Sequence, residues 1–265
     1  MLSMTAKPAA KLSSILLSLA LVFTFIFAVS PNAAHGSPNA VDLVYAKLDG
    51  FAYSPYIFGS IEVDNLAYSK EVYVVWRGST SEAWKEKAAT FDRTTTGNRE
   101  AWKFIVYIGG PNTEFKIKYV VNGQTYWDTN NGSNYKISDP SSTAAPYVAI
   151  GNPPIKVNVT NSFYDYGVAY LDGAANQVHF TAFVKNLAFT KNVTFRYTTD
   201  NWQTYQDVSA SYDSAATNSS NALELWKVTV PISSTVQNVK FSASYTVNGV
   251  TYWDNNLGLN YELTR

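Results

Sequence analysis

What most limits the fold of this chain is a hairpin signal written twice. "VVNGQTYWDTNNGSNYKI" begins at Val120 and "TVNGVTYWDNNLGLNYEL" at Thr246. Asn-Gly between strand-like segments favours a two-residue type I′ turn, because both central residues need positive φ. With Asn122-Gly123 as that turn, Val121 pairs with Gln124, Tyr119 with Tyr126, and Lys118 with Trp127. Directly opposed residues share one face of a sheet. Phe115, Ile117, Tyr119 and Val121 form an apolar face, so Tyr126 is expected in the core and Trp127 outside. In the second copy Phe241, Ala243, Tyr245 and Val247 point inward with Tyr252, and Trp253 lies outside beside Ser244. A neighbouring loop could cover a lone tryptophan placed this way. Two copies at the same outward position, each beside an Asn/Gly-rich loop, argue instead for a binding platform.

The duplication extends over most of the chain. "NLAYSKEVYVVW" (Asn65 to Trp76) answers "NLAFTKNVTFRY" (Asn186 to Tyr197), and Trp84, Trp102 and Trp127 answer Trp202, Trp226 and Trp253. The intervening "SDPSSTAAPYVAIGNPP" is rich in Pro, Ser and Ala and reads as a linker. The units are therefore placed at residues 40–138 and 155–265, with a linker at 139–154. Apolar positions alternate with period two over strand lengths, and long helical patterns are missing. Many short strands in about one hundred residues predict an all-β chain of two immunoglobulin-like antiparallel β-sandwiches in tandem, with a small barrel as the alternative. Trp102 and Trp226 head apolar strands and are expected in the core. Trp84, in "SEAWKEK", and Trp202, in "TDNWQTYQD", sit among charged and amide groups, where a ligand or a folded-back loop could cover them.

The N-terminus departs from this pattern. Lys7 and Lys11 precede the apolar run Ile15 to Val29, followed by small residues up to Gly36. That layout is expected of a secretory signal peptide over residues 1–36, the alternative being an uncleaved anchor. The run is short for a spanning helix, which needs about 20 residues. Without Lys7 and Lys11 the chain keeps 18 basic against 20 acidic residues, with no Lys/Arg cluster. Neither nucleic acid nor, after signal cleavage, a membrane is expected as a partner. Cysteine is absent and His179 is the one histidine beyond the signal segment, which excludes thiol chemistry and paired-histidine sites. Four Asn-x-Ser/Thr sequons, at Asn131, Asn158, Asn192 and Asn218, are glycan acceptors in a eukaryotic secretory route.

An outward aromatic among amides suits a sugar. A pyranose offers a C–H face to stack and a ring of hydroxyls that amides satisfy as donors and acceptors. Stacking on an aromatic is worth roughly 1–3 kcal/mol for a nucleobase, and no more is expected here. One such contact binds weakly, so several sites per chain would act by avidity on a polymer, which can raise affinity by about 10²–10⁴.

With "GSIEVDNLAYSKEVYVVW", Trp84 and "TYWDTNNGSNY", and again with "VKNLAFTKNVTFRYTTDNW" and "TYWDNNLGLNY", each unit resembles carbohydrate-binding module family 21, the starch- and glycogen-binding domains. The resemblance implies two glucan-contacting sites per unit and no cofactor. One would use Trp84 and Trp127, with Trp202 and Trp253 in the second copy. The other would use Asn65, Tyr68, Lys70 and Phe91, answered by Asn186, Phe189, Lys191 and Tyr212. Asn134 and Asn260 align with an amide that helps bind sugar, although each could equally be a turn residue. There are departures. Lys116 and Ser242 stand where some members place a third aromatic, Thr129 stands where the second copy has Asn255, and Phe189 lacks the hydroxyl of Tyr68.

The expected protein is thus secreted, non-catalytic and bound to an α-1,4-glucan such as starch or glycogen, with a separate amylolytic enzyme as a further candidate partner. Glycosidases need two carboxylates flanking one bond, and here the acids are scattered singly. Anchoring to a wall or surface polysaccharide is the alternative. A phosphatase-targeting role is a third reading, since "KNVTF" (Lys191 to Phe195) fits a basic-x-hydrophobic-x-aromatic docking pattern. Its position in an expected strand, with Val193 and Phe195 inward, favours a core role instead.

Overall fold

The computed structural model describes residues 39–50, 54–110, 112–138, 147–159, 168–213 and 222–265. The expected signal segment and the Asn218 sequon lie outside the described residues. Every regular element described is a β-strand, and all the pairings are antiparallel.

The first unit comprises β1 (Val41–Asp49), β2 (Tyr56–Asp64), β3 (Lys70–Arg77), β4 (Lys85–Ala88), β5 (Thr90–Thr95), β6 (Arg99–Tyr107), β7 (Asn112–Val121), β8 (Gln124–Asp128) and β9 (Tyr135–Ser138). One sheet runs β1-β2-β6-β5, and the other runs β4-β3-β7-β8 with β9 also on β7. Their inner faces are the alternating apolar residues of each strand. In β7 these are Phe115, Ile117, Tyr119 and Val121, all buried, against Ile57, Ile61, Phe104 and Val106 of the other sheet. Burying one face of each sheet against the other is what makes a sandwich stable.

The second unit repeats this plan with β11 (Ile155–Val157), β12 (Tyr170–Asp172), β13 (Gln177–Lys185), β14 (Lys191–Thr198), β15 (Gln206–Ser209), β16 (Ser211–Asp213), β17 (Leu223–Pro231), β18 (Asn238–Val247), β19 (Val250–Asp254) and β20 (Tyr261–Thr264). Its sheets run β11-β13-β17-β16, with β12 also on β13, and β15-β14-β18-β19, with β20 also on β18. The chain is therefore two antiparallel β-sandwiches in tandem. Val193 and Phe195 are fully buried in β14, so the "KNVTF" side chains that a docking partner would need belong to the core.

The join between the units is not a simple spacer. Within the expected linker, β10 (Val148–Ile150) pairs with β1 and extends the first unit's sheet. Tyr147 through Ile150 are buried, and Tyr147 meets Phe183 of the second unit edge to face at 6.0 Å. Phe183, Leu223 and Leu225 of the second unit pack into the first unit's apolar cluster. Polar contacts cross the same seam. Lys47 donates to Asn158 and Lys156 lies 4.9 Å from the Tyr45 ring. Asn158 is thus fully buried, and its sequon is closed to a glycan, while Asn131 and Asn192 are exposed.

Candidate functional site

Both hairpins form with the expected register. Asn122 and Gly123 take positive φ (53° and 72°), as do Asn248 and Gly249 (51° and 75°). Lys118 pairs with Trp127 and Ser244 with Trp253. Trp127 is 43% exposed, on the outer face. Tyr126 departs from expectation. It shares the face of Tyr119, ring to ring at 5.8 Å, yet remains 36% exposed. Because β8 is an edge strand, its inward face overlooks the rim of the sandwich instead of its centre. Tyr252 is half-buried against the second core.

In the first unit Lys116 sits between the two tryptophans, its ammonium 4.6 Å from the Trp84 ring and 4.5 Å from the Trp127 ring. Arg77 lies 4.4 Å from Trp84 and makes an ion pair with Glu114 at 2.7 Å. Glu114 also accepts a hydrogen bond from the Asn134 amide at 2.7 Å. That bond, followed by the Arg77 contacts, holds the Glu114 carboxyl below its usual pKa. Asn134 is therefore both the turn residue (φ 52°) and a wired neighbour of the aromatic platform.

The second unit builds the corresponding surface differently. Tyr197 pairs with Gln206 as Trp76 pairs with Lys85, so the residue preceding each short strand is equivalent: Tyr205 stands at the position of Trp84. Trp202 lies three residues earlier, in the turn and with positive φ (70°). The Arg196 guanidinium is 4.2 Å from Tyr205 and 5.4 Å from Trp253. Lys116 pairs with Val75, and Ser242 with Arg196. The cation between two outward aromatics has thus moved to the neighbouring strand, which explains why buried Ser242 can replace Lys116. The carry-over from Trp84 to Trp202 is corrected to Tyr205 at the ladder level.

The Trp-Asp that closes each hairpin is a structural post. Asp128 accepts from the Leu43 and Asn130 amides at 2.7 and 3.0 Å and from the Tyr135 hydroxyl. Asp254 accepts from the Val157 and Asn256 amides at 2.7 and 3.1 Å and from Tyr261. Burial, then the adjacent carboxylate, pushes the Tyr135 hydroxyl well above the usual tyrosine range. The loops that follow have different fates. In the second unit Arg93 of the first donates to the Asn256 carbonyl and side chain at 3.1 and 3.2 Å, and Leu257 is buried beside Val44 and Ala101. Asn255, 3% exposed, accepts from the Gly258 amide. It is a loop cap inside a docked loop, which removes it from the candidate ligand set. Asn260 carries the left-handed turn (φ 60°). In the first unit Asn131, Gly132 and Ser133 remain exposed.

The second candidate group is the same in both copies. Lys70 donates to Asn65 and, at 2.7 Å, to Glu100, whose other oxygen accepts from Trp102 at 3.1 Å. Trp102 meets Phe91 edge to face at 5.8 Å and pairs with it across the ladder. Lys191 likewise donates to Asn186 at 2.5 Å and to Glu224 at 2.7 Å, Trp226 donates to Glu224 at 3.0 Å, and Tyr212 lies 6.2 Å from Trp226. Phe91 and Tyr212 occupy the same ladder position. Tyr68 and Phe189 stand fully exposed at the turn before β3 and β14. The Lys70 and Lys191 side chains are each 3% exposed, so they hold the asparagine and glutamate in place and do not project toward a ligand. Glu100, Glu224 and the half-buried Trp102 and Trp226 were not expected here. The shared Glu-x-Trp spacing, Glu100/Trp102 and Glu224/Trp226, is the signal that could have found them.

Outward aromatics flanked by fixed cations, carboxylates and amides define a surface for a polyhydroxylated ligand. The chain matches the family model described as carbohydrate/starch-binding module (family 21) over residues 37–138 and 168–264. It belongs to that family twice over. It is 36% identical over 128 residues to glucoamylase 1 of Rhizopus oryzae, covering 46% of this chain and 20% of the relative. It is 38% identical over 89 residues to protein phosphatase 1 regulatory subunit 3C of Bos taurus, covering 31% of this chain and 27% of the relative. The chain thus spans about a fifth to a quarter of the length of these relatives. Among solved structures, the starch-binding domain of Rhizopus oryzae glucoamylase, in complex with β-cyclodextrin and maltoheptaose, is 38% identical. That match covers 40% of this chain and all of the other, with a TM-score of 0.34.

Proposed function

We propose that this protein is a secreted, non-catalytic α-glucan-binding protein whose two starch-binding units act together on one polymer. The observation that carries the reading is the Trp84–Lys116–Trp127 surface, which presents a stacking ring beside hydrogen-bonding groups fixed by Arg77, Glu114 and Asn134. Membership of a starch-binding family and the sequence similarity to a glucoamylase support starch or glycogen as the ligand. Secretion rests on the basic and apolar N-terminal segment. The similarity to phosphatase regulatory subunits supports a second reading, glycogen targeting of a partner enzyme, but the burial of Val193 and Phe195 counts against docking through "KNVTF".

The test is a pull-down of the chain from residue 37 on insoluble starch, with cellulose and chitin as controls and Trp84→Ala/Trp127→Ala alongside. Retention on starch alone, weakened in the folded double variant, supports the proposal. A folded protein that passes through starch refutes it.

A further inference from the structure

We propose that the cleft between the two sandwiches is itself a glucan-binding subsite, one that leads a single chain from the Trp127 surface of the first unit to the Asn186 group of the second. This rests on the function proposed above and goes beyond it. Sites confined to each unit would leave the seam empty of ligand.

Two cavities, each about 500 Å³, open along the seam. That size lies in the range of roughly 300–1,000 Å³ typical of small-molecule sites. The first is walled by the Asn130–Lys136 segment of one unit, by β10, and by Lys185, Asn186, Leu187 and Ala222 of the other. The second reaches from Trp127, Thr129 and Asn131 to Lys185 and Leu187. Asn130, Tyr135, Lys185 and Leu187 border both, so the two lie side by side along the seam. At one end lies the stacking ring of Trp127. At the other lies Asn186, hydrogen-bonded to Lys191 in the second unit's Glu224 network.

The lining suits a sugar chain. Leu187, 47% exposed, offers apolar surface for C–H faces, backed by the buried Ile150 and Leu223, while Asn130, Ser133 and Asn134 offer donors and acceptors for hydroxyls. Lys185 adds a largely buried amine whose pKa is lowered by burial, partly offset by Asp128. A nearly neutral chain, whose cleft sets Lys136 and Lys185 against Asp42 and Asp128 among amides, matches an uncharged polymer better than a nucleic acid or an acidic peptide. The asymmetry of the duplicated loops has a role in this arrangement. The second unit's Asn256–Leu257 segment docks on the first unit and fixes the seam, whereas the first unit's exposed Asn131–Ser133 segment forms the cleft's rim.

The experiment is calorimetric titration of the chain from residue 37 with β-cyclodextrin, which as a closed ring cannot thread the seam, and with linear maltodextrins of increasing length. Ala222→Arg and Ser133→Arg place a long hydrated side chain in the cleft from opposite walls, at exposed positions away from the Trp127 ring. The expected result is that wild type gains about tenfold or more in affinity from β-cyclodextrin to the longer chains. Both variants keep the cyclodextrin affinity and lose that gain. A gain that survives both substitutions overturns the cleft and leaves the proposed function standing. Wild type binding cyclodextrin with no gain for long chains overturns the cleft together with the joint action of the two units, and leaves α-glucan binding by the separate units standing. Wild type binding neither ligand overturns both.

Discussion

Trp127→Ala separates a binding platform from a packing residue, because the neighbouring Tyr126 supplies the opposite case on the same strand. Trp127 is 43% exposed on the outer face. An aromatic can bury about 150–250 Å², so the covered part of Trp127, at about 25 cal/mol per Å², is worth at most about 2–4 kcal/mol of folding stability, and less against a compact unfolded chain. Stacking on the exposed part is worth roughly 1–3 kcal/mol of binding, or about a 5- to 150-fold change in dissociation constant. Tyr126→Ala removes a ring 5.8 Å from buried Tyr119. It is expected to cost about 1–3 kcal/mol of stability, including about 0.5–1.5 for the ring pair, with binding unchanged within twofold. Titration with β-cyclodextrin and urea unfolding of both variants read the two effects separately. A folded Trp127→Ala protein that binds like wild type, or a Tyr126→Ala protein that loses binding to the same extent, would refute the assignment of the outer face.

Three further outcomes follow from the hydrogen-bond networks. Asp128→Ala strips the acceptor from two backbone amides and the Tyr135 hydroxyl. At about 1–3 kcal/mol for each buried donor left unmet, a loss of about 3–5 kcal/mol is expected in urea unfolding, and a loss under 1 kcal/mol would contradict the structural role. Glu100→Ala leaves the Lys70 ammonium buried without its carboxylate. About 3–5 kcal/mol is expected, and the double change with Lys70→Met should recover part of it. Hydrogen bonds from the Thr204 hydroxyl and amide, then Thr198, lower the Asp200 carboxyl to about 2. Since this folded-state value lies below the ordinary one, the turn holding Trp202 is expected to keep its full support above about pH 4 and to lose it as pH falls toward 2. Fluorine NMR of labelled tryptophan would follow it, and a Trp202 transition centred above pH 4 in the folded protein would count against this pairing.

The parts of the fold that sequence made legible are those set by local rules. Asn-Gly fixes a turn, the turn fixes a register, and period two then fixes which face Trp127 and Trp253 occupy. What escaped was set by three kinds of longer-range fact. Tyr126 has the inward direction but an edge-strand position, so direction alone overstated its burial. Matching Trp202 to Trp84 paired like with like, whereas the ladder matches Tyr205 to Trp84: the loops before β4 and β15 are equal in length, and Trp202 simply sits three residues earlier within its loop. Asn255 and Asn158 look like polar surface residues in sequence, and both are buried by contacts that no local pattern encodes: the seating of a loop on the other sandwich, and Lys47 reaching across the seam. The Lys70 and Lys191 networks were half legible. Their spacing to Asn65 and Asn186 is local, while Glu100 and Glu224 arrive from another strand.

The duplication changes meaning once the seam is taken into account. Two modules on a free tether gain affinity through an effective concentration set by tether length, which tolerates many ligand shapes. Here the tether's final residues form β10 on the first sheet, Tyr147 and Phe183 close the apolar seam, and Arg93 holds Asn256. The two units therefore present their surfaces at a fixed distance and angle. A fixed pair rewards a polymer whose own geometry matches and gives nothing to one that does not. Arg93→Ala, or a substitution that polarises Phe183, should then reduce affinity for a long glucan more than for β-cyclodextrin, even though neither side chain belongs to a stacking surface. The copies have diverged where this requires it: one Asn-rich loop anchors the pair, and the other is left open at the rim.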